Sequence, residues 1–242
     1  MNQPRVKTGI VGLDNMLRGG FLPGSIILVR GAPGAGKTSL ALQFLMEGTR
    51  NNESGLFITF EEFPHSLYRD AESLGFDLQA LTAAHKLQVV FTSPNVLLRS
   101  LQDIESPLYQ TIVNANTSRA VIDSMTHFMR LTDAADELRR TCASIINSLR
   151  REGITSLLLG EEQRAEPRAT DPGGLAYLSD GMILLRYVEV ESEIHRAIVV
   201  LKLRGSDHAR EIRRFTIQKG GLVVGEEFHH RSAILSGIAR RN

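Results

Sequence analysis

The stretch Gly31-Ala-Pro-Gly-Ala-Gly-Lys-Thr38 decides the fold of this chain. It fits the phosphate-binding pattern G-x-x-x-x-G-K-[ST], in which the glycines allow a tight turn. The apolar run SIILVR at 25–30 precedes it, and an amphipathic stretch from Lys37 to Arg50 follows it. A strand entering the loop and a helix leaving it are the context in which this motif binds phosphate. The pattern therefore predicts a nucleotide-binding α/β domain.

The chemistry of this loop gives its residues separate roles. Backbone N–H groups point inward at phosphate oxygens, and the N-terminus of the following helix adds a partial positive charge. Lys37 is expected to reach the β- and γ-phosphates, the Thr38 hydroxyl to ligate Mg²⁺, and Ser39 to add a contact. The residues predicted to bind the nucleotide here are Gly31, Pro33, Gly34, Ala35, Gly36, Lys37, Thr38 and Ser39.

Carboxylates follow two other apolar runs. Asp123 ends the run RAVID at 119–123, a pattern typical of the acidic residue that helps to hold Mg²⁺ beside a phosphate loop. The other reading of Asp123 is a turn or helix cap. Glu61 and Glu62 follow the run GLFITF, and one of them can orient and deprotonate a water molecule. The pattern alone is not specific, because two glutamates also follow the run ITSLLL at 154–159.

Apolar runs alternate with amphipathic stretches through the first two thirds of the chain, which predicts a doubly wound, mostly parallel sheet. Pro64 is expected to start a helix that ends near Gly75, and Thr132 or Asp133 to cap a helix that continues to Glu152. The final third reads as two β-hairpins. The predicted strands are 25–30, 55–60, 88–92, 119–123, 154–159, 181–190, 194–203, 213–218 and 222–224.

One domain accounts for all of these segments, because no linker separates them. We expect a single domain over 1–242: an N-terminal segment (1–24), an α/β nucleotide-binding core (25–180), an antiparallel β extension (181–225) and a tail (226–242).

Composition excludes several classes of protein. The 242 residues carry a formal net charge of +1, which argues against a polybasic nucleic-acid wrapper. One cysteine rules out a disulfide framework and a Cys-based zinc site. No apolar run approaches the ~18 residues of a membrane span, so a cytoplasmic protein is expected. The adjacent His229 and His230 have poor spacing for a metal site.

The chain resembles the KaiC-type ATPases of the RecA superfamily. The motifs that carry the resemblance cover nearly the whole chain, and the glutamate pair combined with K-L-R-G-x-x-H is the most specific part. They are Thr8-Gly9-Ile10-x-Gly12-Leu13-Asp14, Gly19-Gly20, Thr59-Phe60-Glu61-Glu62, Ala71-Glu72-Ser73-Leu74-Gly75, Val121-Ile122-Asp123-Ser124, Leu178-Ser179-Asp180, Lys202-Leu203-Arg204-Gly205-Ser206-Asp207-His208 and Ile234-Leu235-Ser236-Gly237.

The resemblance implies a RecA-like P-loop domain with a mostly parallel sheet flanked by helices and C-terminal β-hairpins. It implies ATP and Mg²⁺ as ligands, and ATP hydrolysis between adjacent subunits of a homo-oligomeric ring, usually a hexamer. Glu61 and Glu62 match the catalytic glutamate pair, while Lys202 and Arg204 match cations that reach the neighbour's γ-phosphate. The remaining nucleotide-contact residues implied are Ser73, Ser206 and His208.

Departures from the family pattern bear on activity and partners. Ala176-Tyr177 stands where the circadian family members have a phosphorylated Ser-Thr pair, which argues against autophosphorylation and leaves Thr170, Tyr177 and Ser179 as the acceptors to consider. The sequence ends soon after Gly237, so no KaiA partner is expected. The predicted output is regulation of another protein partner, gated by the bound nucleotide.

Two other functions remain open on the sequence. One is a nucleotide-binding regulatory module with negligible hydrolysis, and the other is a recombination-mediator ATPase that binds single-stranded DNA. The stretch from Gly160 to Leu175 reads as a mobile loop that carries four acidic residues and two arginines. No aromatic residue precedes Tyr177 there on which a base could stack, which disfavours nucleic acid.

Overall fold

A nine-stranded sheet organises the part of the chain that the structure describes. The structure is a computed structural model, and it describes residues 4–162, 174–228, 231–232 and 240–241. The strand order across the sheet is β3-β2-β4-β5-β1-β6-β7-β8-β9. The bounds of these strands are β1 Ile26–Gly31, β2 Ser54–Thr59, β3 Leu87–Phe91, β4 Thr117–Asp123, β5 Thr155–Glu161, β6 Gly181–Val190, β7 Glu193–Leu203, β8 Arg213–Gln218 and β9 Gly221–Glu227.

The first six strands of the sheet order run parallel and the last three join through antiparallel pairs. This arrangement confirms the RecA-like α/β fold with C-terminal hairpins. The sequence placed β6 in an antiparallel extension, but β6 pairs in parallel with β1 and antiparallel only with β7. The change of direction therefore lies inside the β6–β7 hairpin. A separate two-stranded pair joins β10 (Arg231–Ser232) to β11 (Arg240–Arg241).

Nine helices lie within the described ranges. The helix after the phosphate loop has its predicted bounds, and two helices between β3 and β4 begin at prolines. The helices are α1 Val11–Met16, α2 Lys37–Arg50, α3 Pro64–Ser73, α4 Leu78–Ala83, α5 Pro94–Gln102, α6 Pro107–Asn114, α7 Thr126–Met129, α8 Ala135–Arg151 and α9 Leu175–Leu178.

The predicted cap of α8 is wrong in detail. Ala134 occupies the N-cap position and makes no side-chain cap. The Thr132 hydroxyl instead accepts a hydrogen bond from the Ala134 N–H at 3.2 Å and donates one to the Glu137 carboxylate at 2.8 Å. The threonine thus shapes the turn before the helix, as a hydroxyl that bonds a backbone group two residues on commonly does.

Both faces of the sheet are covered by apolar layers, which explains why the parallel strands read as continuous apolar runs. Alternate residues of β1 point to opposite layers: Ile27 and Val29 belong to the layer under α1 and α2, and Ile26 and Leu28 to the layer under α5 and α8. All four side chains are fully buried. Strand β1 is therefore held rigidly in the middle of the sheet, and the phosphate loop follows its last residue.

Candidate active site

The loop between β1 and α2 has a backbone that only glycine adopts freely. Gly34 and Gly36 have φ values of 74° and 103°, in the left-handed region. A Cβ on Gly36 would also lie 2.7 Å from Cδ1 of Ile217 on β8. The loop is thus tightly turned and packed against the hairpin that contains β8. This packing leaves no room for a side chain at Gly36.

The Lys37 ammonium group bonds carbonyl groups of the loop itself. Its Nζ donates to the Gly31 carbonyl at 2.9 Å and to the Ala32 carbonyl at 3.0 Å. Burial lowers the pKa of Lys37, and the negative charges of Asp123 and Glu161 oppose that shift. The cation therefore lies inside the loop, near two carboxylates, where it can exchange carbonyl oxygens for phosphate oxygens.

Thr38 and Asp123 meet at the start of α2 and the end of β4, as the sequence predicted. The Thr38 hydroxyl donates to Oδ2 of Asp123 at 3.0 Å. Burial raises the pKa of Asp123, partly offset by the Thr38 hydrogen bond and by the Lys37 charge. Two hard oxygen donors side by side match the preference of Mg²⁺. These residues therefore fit the ion that the motif implies.

Glu61 and Glu62 follow β2, which lies beside β4, and Thr59 at the end of β2 is in register with Asp123. The Glu62 N–H donates to the Thr59 hydroxyl at 3.2 Å. Burial raises the pKa of Glu62, and the carboxylates of Asp123, Asp70 and Glu61 raise it further. The pair thus lies at the same sheet edge as the phosphate loop.

His127 joins this group, and sequence reasoning missed it. The Glu61 carboxylate Oε1 lies 3.1 Å from Nε2 of His127. His127 is on α7, the short helix that follows Asp123. A lone histidine after a strand has no spacing signature. Its position four residues after the predicted Asp123 is the signal that could have found it.

Lys202 and Arg204 lie at the opposite edge of the sheet from the loop of their own chain. The Lys202 Nζ donates to the carbonyls of Ala176 and Ser179 at 2.7 and 2.6 Å, and Arg204 donates to the Tyr177 carbonyl at 2.8 Å. Burial lowers the pKa of Lys202, and the charge of Arg204 lowers it further.

Strand register fixes the position of that edge. Lys202 pairs with Met182 at the start of β6, and Met182 pairs in parallel with Leu28 of β1, upstream of the point where β1 enters the loop. The Arg204 N–H donates to the carbonyl of Asp180, whose side chain accepts a hydrogen bond from the Ile26 N–H at the start of β1. Lys202 and Arg204 therefore lie where the parallel strands begin.

The other three predicted contact residues bond within their surroundings. The Ser206 hydroxyl accepts a hydrogen bond from Arg5 at 2.9 Å, and His208 Nδ1 lies 2.9 Å from the Ala209 carbonyl. The Ser73 hydroxyl donates to the Asp70 carbonyl on its own helix at 2.6 Å. Their roles in nucleotide binding stay predictions.

Glu162 gives the base of the phosphate loop a further support. Its N–H donates to the Gly31 carbonyl at 3.2 Å, and its carboxylate accepts both a 2.8 Å and a 2.9 Å hydrogen bond from Nε of Arg186 on β6. This ion pair bridges the two strands that flank β1. Glu162 thus has a structural role that the pattern of two glutamates after an apolar run does not reveal.

Some predicted features lie outside the described residues: Thr170, most of the loop from Gly160 to Leu175, and the pair His229-His230. Within the described ranges, no group of three or more His, Cys, Asp or Glu side chains could hold a metal ion. None of the helices found there is long and apolar enough to cross a membrane.

Comparisons with known proteins identify the family of the chain. A family model described as the KaiC ATPase matches residues 6–229. The circadian clock oscillator protein KaiC of Picosynechococcus sp. is 32% identical over 239 residues, which are 98% of this chain and 46% of that protein. The KaiC of Thermostichus vulcanus is 32% identical over 98% of this chain and 45% of its own length.

The circadian clock protein KaiC3 of Synechocystis sp. is 33% identical over 96% of this chain and 46% of its own length. The chain thus spans about half the length of the curated relatives it matches. The chain belongs to the KaiC family of ATPases.

Proposed function

We propose that the protein hydrolyses ATP with Mg²⁺ at the interface between two copies of the chain in a homo-oligomeric ring. Each copy would supply the phosphate loop and the glutamates at one edge of its sheet, and Lys202 and Arg204 at the other edge. The observation that carries this proposal is the strand register, which separates Lys202 from the phosphate loop of its own chain.

The loop residues would bind the phosphates. The Lys37 Nζ is already desolvated and surrounded by oxygen acceptors, so exchange of the Gly31 and Ala32 carbonyls for phosphate oxygens costs little reorganisation. The Thr38 hydroxyl and the Asp123 carboxylate would hold Mg²⁺. When bound, Mg²⁺ supplies positive charge that neutralises the phosphate oxygens.

The glutamates at the end of β2 would act on water. Glu61 or Glu62 orients a water molecule and accepts its proton as the water oxygen attacks the γ-phosphorus. The bond from the γ-phosphorus to the bridging oxygen breaks, and ADP and phosphate leave. Arg204 and Lys202 of the adjacent copy would neutralise the charge that develops during this transfer, as an arginine finger does.

The opposed edges favour a ring or another head-to-tail assembly. A surface that carries the cations must meet a different surface that carries the loop, which is a heterologous contact, and such contacts close into rings when the rotation allows. Oligomeric mass measured with and without ATP and Mg²⁺ tests this step. A strict monomer in both conditions would contradict the proposed interface.

Phosphate release from ATP tests the reaction. Lys37→Ala should abolish nucleotide binding, while Lys86→Ala, which removes an exposed lysine, should leave it unchanged. Changing both Glu61 and Glu62 to Gln should preserve binding and stop hydrolysis, because glutamine cannot accept the proton. Full turnover by the double Gln variant would refute the assignment of the base.

The output of the cycle is proposed to be contact with a protein partner that depends on the bound nucleotide. The relatives are described as clock proteins, which is a regulatory role. When cell extract is applied to the immobilised protein, the set of proteins retained should differ between ATP with Mg²⁺ and ADP. This difference should vanish for Lys37→Ala.

A further inference from the structure

We propose that His127 is a positioning residue for Glu61 and thereby makes Glu61, rather than Glu62, the carboxylate that orients the attacking water. This inference rests on the proposed ATP hydrolysis. It goes beyond it by naming which glutamate acts and what holds it in place.

The contact joins a shielded ring to an exposed carboxylate. His127 Nε2 lies 3.1 Å from Glu61 Oε1, and the imidazole side chain is 17% exposed while the glutamate side chain is 69% exposed. An exposed glutamate side chain samples several rotamers, and fixing it in one rotamer costs conformational entropy. A contact must offset that cost if the carboxylate is to be placed precisely. A hydrogen bond from a fixed imidazole restricts the carboxylate to one direction.

The imidazole itself packs against a phenylalanine ring that is held in turn by a second one. Phe60 lies edge-on to the imidazole, with ring centroids 5.7 Å apart and an interplanar angle of 62°. Phe60 also packs edge-on against the buried Phe128, at 5.3 Å between centroids. Phe60, which lies between β2 and the glutamate pair, thus supports the His127 ring that contacts Glu61.

Helix α7, which carries His127, is tied to the end of β5. The Met125 N–H donates to the Leu159 carbonyl at 2.7 Å, and the Glu161 N–H donates to the Thr126 hydroxyl at 3.0 Å. A positioning group acts well only when its own backbone is fixed. These bonds connect the imidazole to the same strands that place Asp123 and the phosphate loop.

Charge at the site favours the same role. Glu61, Glu62 and Asp123 bring three carboxylates to one edge, and His127 is close enough to Asp123 to lower the pKa of that carboxyl. An imidazole N–H at this 3.1 Å distance can donate a hydrogen bond to the Glu61 carboxylate and restrict its direction. Glu62 is instead fixed through its backbone N–H by Thr59.

Substitutions at His127 separate positioning from packing. His127→Gln keeps a side-chain N–H donor of similar reach, whereas His127→Asn is too short and His127→Phe has no donor. We expect His127→Phe and His127→Asn to lower kcat for ATP by about 10- to 100-fold with nucleotide affinity unchanged, the size of effect seen when a residue orienting a functional group is lost. His127→Gln should recover most of the rate.

A matched control exists on the β6–β7 hairpin. His195 Nε2 lies 3.5 Å from Glu193 Oε2, with side chains that are 17% and 77% exposed, so this pair has nearly the same burial as His127 and Glu61. His195→Phe should leave kcat unchanged. Thermal unfolding of all variants separates a lost fold from a lost contact, and if His127→Phe unfolds, the Gln and Asn pair carries the comparison.

The decisive readout is the dependence of the effect on Glu61. In a Glu61→Gln background, His127→Phe should cause no further loss of the residual rate, whereas in a Glu62→Gln background it should cause the full loss. An equal loss in both backgrounds, an unchanged kcat in His127→Phe, or a loss confined to nucleotide affinity would overturn the assignment.

The two proposals fail in different ways. Absence of phosphate release from the wild-type protein with ATP and Mg²⁺ would overturn the proposed hydrolysis, and the role of His127 with it. Phosphate release that is lost in Lys37→Ala but retained at full rate in His127→Phe would overturn only the role of His127.

Discussion

At the scale of one residue, Asp123 shows how a buried carboxylate, which we propose as a ligand of Mg²⁺, affects the stability of the fold. Its carboxylate is desolvated, and burial is the largest cause of its raised pKa. A raised pKa means that the folded protein binds this proton more tightly than the unfolded chain does. The ionised carboxylate therefore lowers the free energy of unfolding of the nucleotide-free protein.

The first prediction follows from this sign. Stability due to Asp123 is fully present below the ordinary aspartate pKa and is lost as pH rises through the higher folded pKa. Asp123→Asn removes the charge but keeps an oxygen that can accept from Thr38. We expect the variant to have a higher urea midpoint than wild type at pH 7.5 without nucleotide, and a smaller advantage as pH falls toward 4.

Mg²⁺ and ATP together should make wild type more stable than Asp123→Asn. With ATP and Mg²⁺ present, wild type gains stability through binding, whereas Asp123→Asn gains less because it has lost an anionic ligand. Urea unfolding at several pH values, with and without Mg²⁺ and nucleotide, measures both effects. A variant that is less stable than wild type under all of these conditions would count against the desolvation argument.

At the residue scale, local chemistry singles out some side chains, whereas the fold alone creates other contacts. Local patterns pointed to Thr38 and Asp123, because one stands in a phosphate loop and the other ends an apolar run; the structure brings them into contact, and their roles toward Mg²⁺ stay predictions. The contacts of His127 with Glu61 and of Glu162 with Arg186 were not predicted. The partners are far apart in sequence and have no distinctive local pattern, so only the folded sheet shows that they meet. The order of strands, which no local pattern carries, decides those contacts.

At the scale of elements, two buried polar side chains attach the N-terminal segment to the core. Gln43 on α2 donates to the Gly9 carbonyl at 3.0 Å and accepts from the Leu222 N–H of β9 at 2.7 Å. Arg119 on β4 donates to the carbonyls of Lys7 and Phe44 and pairs with Glu53. A sequence reader assigns such residues to a solvated surface, so neither was expected.

The second prediction concerns Gln43. Gln43→Met keeps the size of the side chain but leaves the Leu222 N–H and the Gly9 carbonyl without this partner inside the protein. We expect a loss of about 1–3 kcal/mol in the free energy of unfolding, the usual cost of a buried unsatisfied polar group. Gln79→Met, on the exposed face of α4, is the control and should change stability little.

Urea unfolding of the two variants measures the difference. Equal stability of the Gln43 and Gln79 variants would mean that water replaces the lost bonds and that the N-terminal segment is held by other contacts. The hydrogen bond from Arg119 to the Lys7 carbonyl is one such contact.

The boundaries of helices and strands agreed with the sequence prediction where glycines or charged turns mark their ends. The helix after the phosphate loop and the strands Gly181–Val190 and Arg213–Gln218 have the predicted bounds, since glycines and a charged turn delimit them. The caps of α5 and α6 were missed, although Ser93 and Ser106 each precede a proline and accept an N-cap hydrogen bond. A serine before proline was available as a signal and reads as a helix start.

At the scale of the whole molecule, the sheet separates the two halves of the proposed active site. The phosphate loop leaves the carboxyl end of β1, whereas Arg204 hydrogen-bonds to residues at the edge where β1 begins. The sequence alone could not give this separation, because it depends on which strands are neighbours and in which register.

The final prediction uses this separation. Lys37→Ala copies lack the loop function, and Arg204→Ala copies lack the cation for their neighbour, so each variant alone should be nearly inactive; loss of an arginine finger costs about 10³-fold or more. Mixed in equal amounts, dissociated and reassembled, they should recover about one quarter of the wild-type rate per copy, because each interface needs an intact half from both neighbours.

A second mixture serves as the control. Glu61→Gln and Lys37→Ala damage the same half of the site, so every copy with an intact loop lacks the glutamate and no interface in the mixture is complete. That mixture should stay inactive, although it assembles to the same mass. Recovery in both mixtures would point to exchange or residual activity, and recovery in neither would place Arg204 and Lys37 in the same site of one copy.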